Sequence, residues 1–363
     1  MLLMRLCLCF MLCSITLAHA QPQHVELHPV SYQALPGWSQ DDLLKALSTF
    51  QASCPYLQTT TLPGVNHPQI DRHYWESVCH AARQLHTQDA TQARLFFQHW
   101  LRPVALIVNH RPYGFFTGYF TPLIRASRAQ NADYPIPIYA NPAEPHYRQL
   151  SRRAINAGEL NDHAEVIVWV QTKLIRYLLQ VQGSGMALLD DGEQVLLSYA
   201  GRNHHTFKGL GHLLLAAGVL PHSQSTILKM FVWLQQHPDI TEHYLNLNPS
   251  FIFFSLKPHA IPHGASGIAL TPMRSLAVNT SIIPLGVPVF VASHLPTTAA
   301  TKQPQAFQHL MVAQDTGSAI KGKILGDIFV GVGSDAGTIA GQLKQPGRAW
   351  ILLPRQWLET GVG

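Results

Sequence analysis

The chain has 363 residues, a formal net charge of +5, only 12% charged residues, and 25 each of glycine and proline. A length of this order supports two ordinary domains with sizeable cores, and the turn-rich composition suits a strand protein. The basic residues are scattered rather than gathered into a stripe, which excludes a nucleic-acid footprint and suits instead an anionic polymer.

Residues 1–20 read as an export signal: Arg5, an apolar run over 6–17, and the small-x-small end Ala18-His19-Ala20. Cleavage after Ala20 would leave roughly 340 residues, with no later tract of about 18 apolar residues to cross a membrane. Cys7, Cys9 and Cys13 fall inside this signal, each after a leucine rather than the small residue a lipid-attachment site requires. A soluble exported protein is therefore expected, in the periplasm or at the inner face of an outer membrane. Cys54 and Cys79 are the only cysteines left. An isolated pair in an oxidising compartment is expected to form a structural disulfide, here within a helical region.

Residues 39–50 open with Ser-Gln-Asp-Asp, a capped start, and continue with Leu43, Leu44, Leu47 and Phe50 at helical spacing. A second helical face carries Tyr74, Trp75, Val78, Ala82 and Leu85, and a third carries Ala93, Phe96, Phe97, Trp100 and Leu101 until Pro103. Beyond Pro103 short β-branched and aromatic runs take over, at 136–139, 194–197, 251–254, 287–291, 309–313, 327–330 and 349–353. Helices interrupt them at 209–217 and 223–236. The fold class expected is mainly β, with barrel architecture behind an N-terminal helical layer.

The strongest chemical signal is Ala313-Gln-Asp315-Thr-Gly-Ser-Ala-Ile-Lys-Gly322, followed by Gly326-Asp327-Ile-Phe329 and Gly331-Val-Gly-Ser-Asp335. An acid at the end of an apolar strand, before a glycine and serine turn, is placed where it can face a cleft beside backbone amides. A nearby Asp327 or Asp335, or partial burial, would hold one carboxyl protonated for general-acid use. Asp-Thr-Gly alone also suits a turn former, and Lys321 an ordinary surface lysine.

Residues 317–323 approach phosphate-loop spacing, but Ile324 stands where Ser or Thr must hold magnesium. Gly331, Gly333 and Gly337 miss dinucleotide spacing and are expected to form a tight turn. His204 and His205 are adjacent, so on a strand they face opposite sides, and no metal site or cofactor is expected. No Gly-x-Ser-x-Gly elbow occurs.

Further blocks lie in order along the chain: Thr117-Gly-Tyr-Phe-Thr-Pro122, Tyr134-Pro-Ile-Pro137, Val181-Gln-Gly-Ser-Gly185, Ser198-Tyr-Ala-Gly201 and Asn248-Pro-Ser-Phe251. Gly264-Ala-Ser-Gly267, Arg274-Ser-Leu-Ala-Val278, Ile283-Pro-Leu-Gly286 and Gly347-Arg-Ala-Trp350 complete them. Over about 230 residues this collinear set resembles the membrane-bound lytic murein transglycosylase A family (MltA), with a C-terminal 3D-type barrel.

The resemblance implies a double-psi β-barrel domain from 21–122 and 248–363, and an inserted second β-barrel-like domain over 123–247. A glycan groove would lie between them. It implies that Asp315 is the catalytic acid, that Asp327 supports it, and that Thr117, Tyr119, Gln182, Ser184, Ser198 and Lys321 are substrate-binding candidates. The implied partner is the peptidoglycan glycan strand, with outer-membrane association and cell-wall synthesis or division proteins as further candidates. The implied reaction is cleavage between N-acetylmuramic acid and N-acetylglucosamine, leaving a 1,6-anhydro end. Two departures stand out: Asn279 replaces an acid usual for the barrel, and Asn203-His204-His205 replaces Asn-Gly-His. A non-catalytic peptidoglycan-binding module and a hydrolase with paired carboxylates are the rival readings.

Overall fold

The computed structural model describes residues 24–59, 72–220, 227–258, 261–296, 303–317 and 319–359. The expected signal at 1–20, with its three cysteines, lies outside the described residues, as does the start of the helix expected over 223–236.

Strand β1 (Val25–Pro29) leads into α1 (Leu43–Thr59), α2 (Arg72–Gln84) and α3 (Ala90–Trp100). The middle of the chain then runs β2 (Leu101–Val108), β3 (Gly114–Thr121), β4 (Leu123–Ala126), β5 (Ile136–Tyr139), α4 (Arg152–Asn156), β6 (Val166–Val170) and α5 (Lys173–Gln182). It continues with β7 (Ser184–Leu189), β8 (Gln194–Arg202), α6 (Leu210–Ala216), α7 (Ile227–Gln236), α8 (Pro238–Asn246) and β9 (Ile252–Pro258). The last part comprises β10 (Ser275–Val278), β11 (Pro288–Leu295), β12 (Gln305–Thr316), β13 (Ile324–Val332), α9 (Gly333–Gln342), β14 (Lys344–Pro354) and α10 (Arg355–Glu359).

Strands β14, β11, β12, β10, β13 and β3 pair in that order, and β3 pairs back to β14, closing a six-stranded barrel. Closure removes free edges from the ring, while β2 and then β1 extend outward from β14. The barrel buries Leu276, Val289, Phe290, Leu310, Val312 and Ile328 completely. Phe50, Trp75 and Phe97 from the three helices join the same core, so the helical layer is part of the barrel's own packing.

Cys54 and Cys79 form the expected disulfide, with 5.4 Å between Cα atoms and a sequence separation of 25. It ties α1 to α2. Replacing both cysteines by alanine is expected to cost about 3–4 kcal/mol by loop-closure entropy, read as a lower urea midpoint without loss of the folded barrel. An unchanged midpoint would show that the helical layer is held by packing alone.

The second sheet runs β4-β7-β8-β9, and β5 pairs with β6 in a separate ribbon. A bridge between Ser127 and Trp169 joins the two, and Leu179 of α5 packs into their common core. Strand β9 pairs with β8, so this sheet reaches Pro258 and passes the expected boundary at 247.

Helices α4, α5, α8, α9 and α10 depart from the strand-and-turn expectation, and α5, α8 and α9 are the longest of them. Helix α5 is capped by Thr172, whose hydroxyl accepts from Ile175 N at 3.1 Å, and ends at Gly183 in the left-handed region, φ 80°. The Val181-Gln-Gly-Ser-Gly185 block thus holds its C-terminus. Helix α8 starts with Pro238, which suits a first helical turn. Helix α9 occupies the stretch expected to be only a tight turn. A Cβ at Gly337 would stand 2.8 Å from the Phe120 ring, so the glycine lets this helix approach β3 closely.

Candidate active site

Strand β10 lies between β12 and β13, and Ala277 is in register with Asp315 on one side and Asp327 on the other. The two acids are therefore two strand spacings apart at the backbone, about 9–10 Å. Both line a cleft of about 1000 Å³. They are the only carboxylates among its described lining residues.

Alternation along β12 sets their exposure. Gln314 points into the core, donating to Ser53 Oγ of α1 at 2.8 Å and accepting from Ser275. The next side chain, Asp315, points the opposite way. Its Oδ1 accepts from Ala265 N at 2.9 Å and Thr316 N at 2.8 Å, and its Oδ2 accepts from the Tyr119 hydroxyl at 2.9 Å. The Ala265 amide reaches it because the loop before it presses on β12: a Cβ on Gly264 would stand 2.3 Å from the Gln314 carbonyl oxygen. Burial pushes the Asp315 carboxyl above the usual carboxylate range, although these three hydrogen bonds pull the other way.

Asp327 accepts from the Thr117 hydroxyl at 3.0 Å. Burial, opposed by that bond and assisted by the charge of Asp315, raises its carboxyl from 3.8 to about 7. Tyr119 is held well above the usual phenol range by burial and then by Asp315, so its hydroxyl stays a donor. Its ring packs on Phe329 at 5.3 Å.

Between about pH 3.9, where an unfolded aspartate titrates, and about 7, folded Asp327 keeps a proton that the unfolded chain has released. Stability therefore falls as pH rises through that window. Asp327→Asn, which can still accept from Thr117, is expected to be more stable than wild type at pH 8, by on the order of 2–4 kcal/mol, and nearly equal at pH 4.5. Urea unfolding at the two pH values checks this; an equal loss at both would contradict it.

Thr117, Tyr119, Gln182, Ser184 and Ser198 all line the cleft. Thr117 and Tyr119 are engaged with the two carboxylates. Gln182 accepts from Phe120 N at 3.1 Å, tethering α5 to β3, while Ser184 and Ser198 face each other across β7 and β8. Lys321 is exposed and does not line the cleft. Asp335 is exposed on the first turn of α9, likewise outside it.

Asn279 accepts from Ser281 N and Ser281 Oγ, at 3.1 and 2.8 Å, closing a local turn just past β10. Asn203 is 1% exposed, donates to the carbonyls of Leu150 and Pro249, and accepts from Phe251 N. Asn203 braces the second sheet, and none of residues 203–205 lines the cleft.

Tyr199 and Arg152 stand out among the lining residues that the sequence candidates did not include. Tyr199 is 55% exposed at the cleft, beside Ser198. A bulge between Tyr199 and Gly201 breaks the strict alternation that would send neighbouring side chains to opposite faces. Arg152 is 3% exposed and donates to Asn248 O at 2.9 Å, Gln180 Oε1 at 2.5 Å and Ser250 O. Its guanidinium lies 4.7 Å from the Tyr177 ring centre, and burial lowers its pKa to about 9. Arg202, Lys257 and Lys344 add exposed positive charge to the same cleft.

Comparison with known proteins matches residues 115–255 to the MltA specific insert domain and 274–353 to the 3D domain. The membrane-bound lytic murein transglycosylase A of Escherichia coli K12 is 32% identical over 272 residues, covering 70% of this chain and 74% of that one. A crystal structure of membrane-bound lytic murein transglycosylase from Agrobacterium tumefaciens superposes with a TM-score of 0.82 at 30% identity, covering 92% of this chain and 99% of that one. The structure of E. coli MltA with bound chitohexaose superposes with a TM-score of 0.70 at 28% identity, covering 92% and 95%. Among the described residues no helix is long and apolar enough to cross a membrane.

Proposed function

Because the chain belongs to the membrane-bound lytic murein transglycosylase A family, we propose that it cleaves peptidoglycan strands between N-acetylmuramic acid and N-acetylglucosamine, with Asp315 as the single acid and base. The observation that carries this reading is the cleft's carboxylate inventory. Paired-carboxylate hydrolysis needs two acids flanking the bond. Here Asp327 stands on the same barrel wall as Asp315, bonded to Thr117, and the facing wall offers serines, Tyr199 and cations.

Protonated Asp315 gives its proton to the bridging oxygen as the muramic C1–O bond breaks, releasing the 4-hydroxyl of N-acetylglucosamine. The carboxylate then takes the proton of the muramic C6 hydroxyl while that oxygen bonds to C1. The product end is 1,6-anhydro, no water enters, and Asp315 is protonated again. The Ala265 and Thr316 amides and the Tyr119 hydroxyl stabilise the carboxylate during the step in which it is charged. Asp327 keeps local negative charge low while protonated. Tyr199 offers an aromatic face to a sugar, and Ser184 and Ser198 offer hydroxyls. The cationic far wall suits an acid-substituted glycan.

We assign the catalytic unit to the barrel with its helical layer, and the opposing groove wall to the insert. Export to the periplasm or the outer membrane's inner face belongs to the same proposal, with cell-wall synthesis or division proteins as candidate partners. The position of Asn279 weighs against a degenerate binder, since its side chain serves a turn and its lost charge takes no acid out of the cleft. Incubation of purified protein with sacculi separates the readings: soluble anhydro-muropeptides are expected, and retention on the wall without release would favour the binder.

A further inference from the structure

His24 immediately precedes β1, which opens Val-Glu26-Leu-His28, and the period of two puts His24, Glu26 and His28 on one face. The turn after β2 brings a third imidazole to that face. Val108 and Arg111 exchange both backbone hydrogen bonds at 3.1 Å across Asn109 and His110, which have φ of 52° and 59°. Such a two-residue turn favours glycine at its second position, yet a histidine stands there in the left-handed region. Asn109 holds the arrangement: its Oδ1 accepts from His24 N at 3.0 Å, and its own N donates to His24 O at 2.7 Å.

The result is a convergence of donor atoms. Glu26 Oε1 lies 2.7 Å from His110 Nδ1 and 3.4 Å from His24 Nδ1, and the three ligand atoms all fall within 4.8 Å of one another. Tetrahedral zinc with bonds of about 2.0–2.1 Å spaces its ligand atoms about 3.3–3.4 Å apart. Glu26 Oε1 is shielded from solvent and has no aligned hydrogen-bond partner, its close neighbours being the two imidazole nitrogens. The other oxygen, Oε2, is held by His28 Nε2 at 3.3 Å. The His24 and His110 rings stack with centres 4.4 Å apart, a contact that two imidazolium cations would disfavour. None of these four residues lines the cleft.

We propose that His24, Glu26 and His110 form a site for a borderline divalent cation, zinc in particular, with His28 orienting the carboxylate. Two imidazoles and a carboxylate suit zinc and disfavour magnesium or calcium, which take oxygen ligands. The cation would clip the edge strand β1 to the turn after β2, and its binding energy would appear as added stability of the folded barrel. The expectation of no metal rested on the adjacent pair His204 and His205, whereas His24, Glu26 and His28 alternate along the chain and His110 joins them only through the fold.

The test is calorimetric titration of tag-free, chelator-stripped protein with ZnCl₂ at pH 7.5, beside MgCl₂, with melting curves at each zinc level. One saturable zinc event per chain and a rising Tm are expected, and no magnesium event. His110→Ala and Glu26→Gln should each weaken that event by at least the roughly 10- to 100-fold that loss of a mere outer-shell partner costs, and abolish the Tm rise. Their metal-free Tm and sacculus-cleaving activity report that the variants are folded. With 21 histidines in the chain, weak binding common to all proteins is background. Identical isotherms for wild type and variants, or no saturable event in wild type, would overturn the proposal.

Discussion

Replacing Asp315 by asparagine is expected to lower strand cleavage by about 10²- to 10⁴-fold while leaving the fold and sacculus binding intact. Asparagine keeps the side-chain size and an oxygen that can accept from Ala265 N and Thr316 N, now at 2.9 and 2.8 Å. What it lacks is a proton to give and a carboxylate to take one back. Among the described lining residues the one other carboxylate, Asp327, belongs to a different strand and is bonded to Thr117. Muropeptide release from sacculi measures the rate, and a pelleting assay measures binding. Activity within a few-fold of wild type would remove Asp315 from the centre of the reaction.

Asp41→Ala is expected to destabilise the protein by about 3–5 kcal/mol, the usual cost of stranding a buried charge. Both oxygens of Asp41 are committed: Oδ1 accepts from Arg274 Nη2 and His309 Nδ1, each at 2.7 Å, and Oδ2 from Arg274 Nη1 at 2.9 Å and Leu310 N at 2.7 Å. Burial alone would raise its carboxyl, but the bonds from His309, Arg274 and Leu310 together hold it below the usual range. Its contribution is thus present above the unfolded carboxylate pKa of about 3.9 and is lost as pH falls through the lower folded value. The variant leaves the 4% exposed Arg274 without its counter-ion, immediately before β10, the strand between the two cleft acids. Urea unfolding at pH 7 checks the size. Asp335→Ala, on the exposed turn of α9, is the control and should stay within about 0.5 kcal/mol of wild type. Equal small losses in both would mean that the Asp41 network contributes little.

These two acids also show what a sequence can and cannot display. The cleft-facing position of Asp315 was legible because its signal is local: an apolar strand ends and a glycine turn follows. Asp41 looked like part of a helix cap, and Asp42 does accept from Leu44 N at 3.3 Å, but Asp41 turns to partners 233 and 268 residues away. No local pattern separates those roles. The three N-terminal helices were legible through their periodicity, and β11, β12, β13 and β14 through short β-branched and aromatic runs, whereas β3 and β10, the other two strands of the ring, were not among the expected strands. Helix α5 carried its own signals, a threonine cap and a terminal glycine, within a stretch whose texture resembles strands. Helix α9 was obscured by its small residues, which serve close packing on β3 rather than helix propensity. Tyr199 escaped because strict alternation puts it on the face opposite Ser198, whereas both line the cleft beside a bulge between Tyr199 and Gly201. Arg152 escaped because its ligands are carbonyls and an amide drawn from distant segments.

The central claim is that the muramic C6 oxygen, not water, takes the place of the departing sugar. Digestion of sacculi in H₂¹⁸O, with mass spectrometry of the released muropeptides, tests it directly. The account predicts anhydro ends one water lighter than the hydrolytic product and free of ¹⁸O. Reducing ends carrying one ¹⁸O atom would contradict it and assign the cleft to a hydrolase.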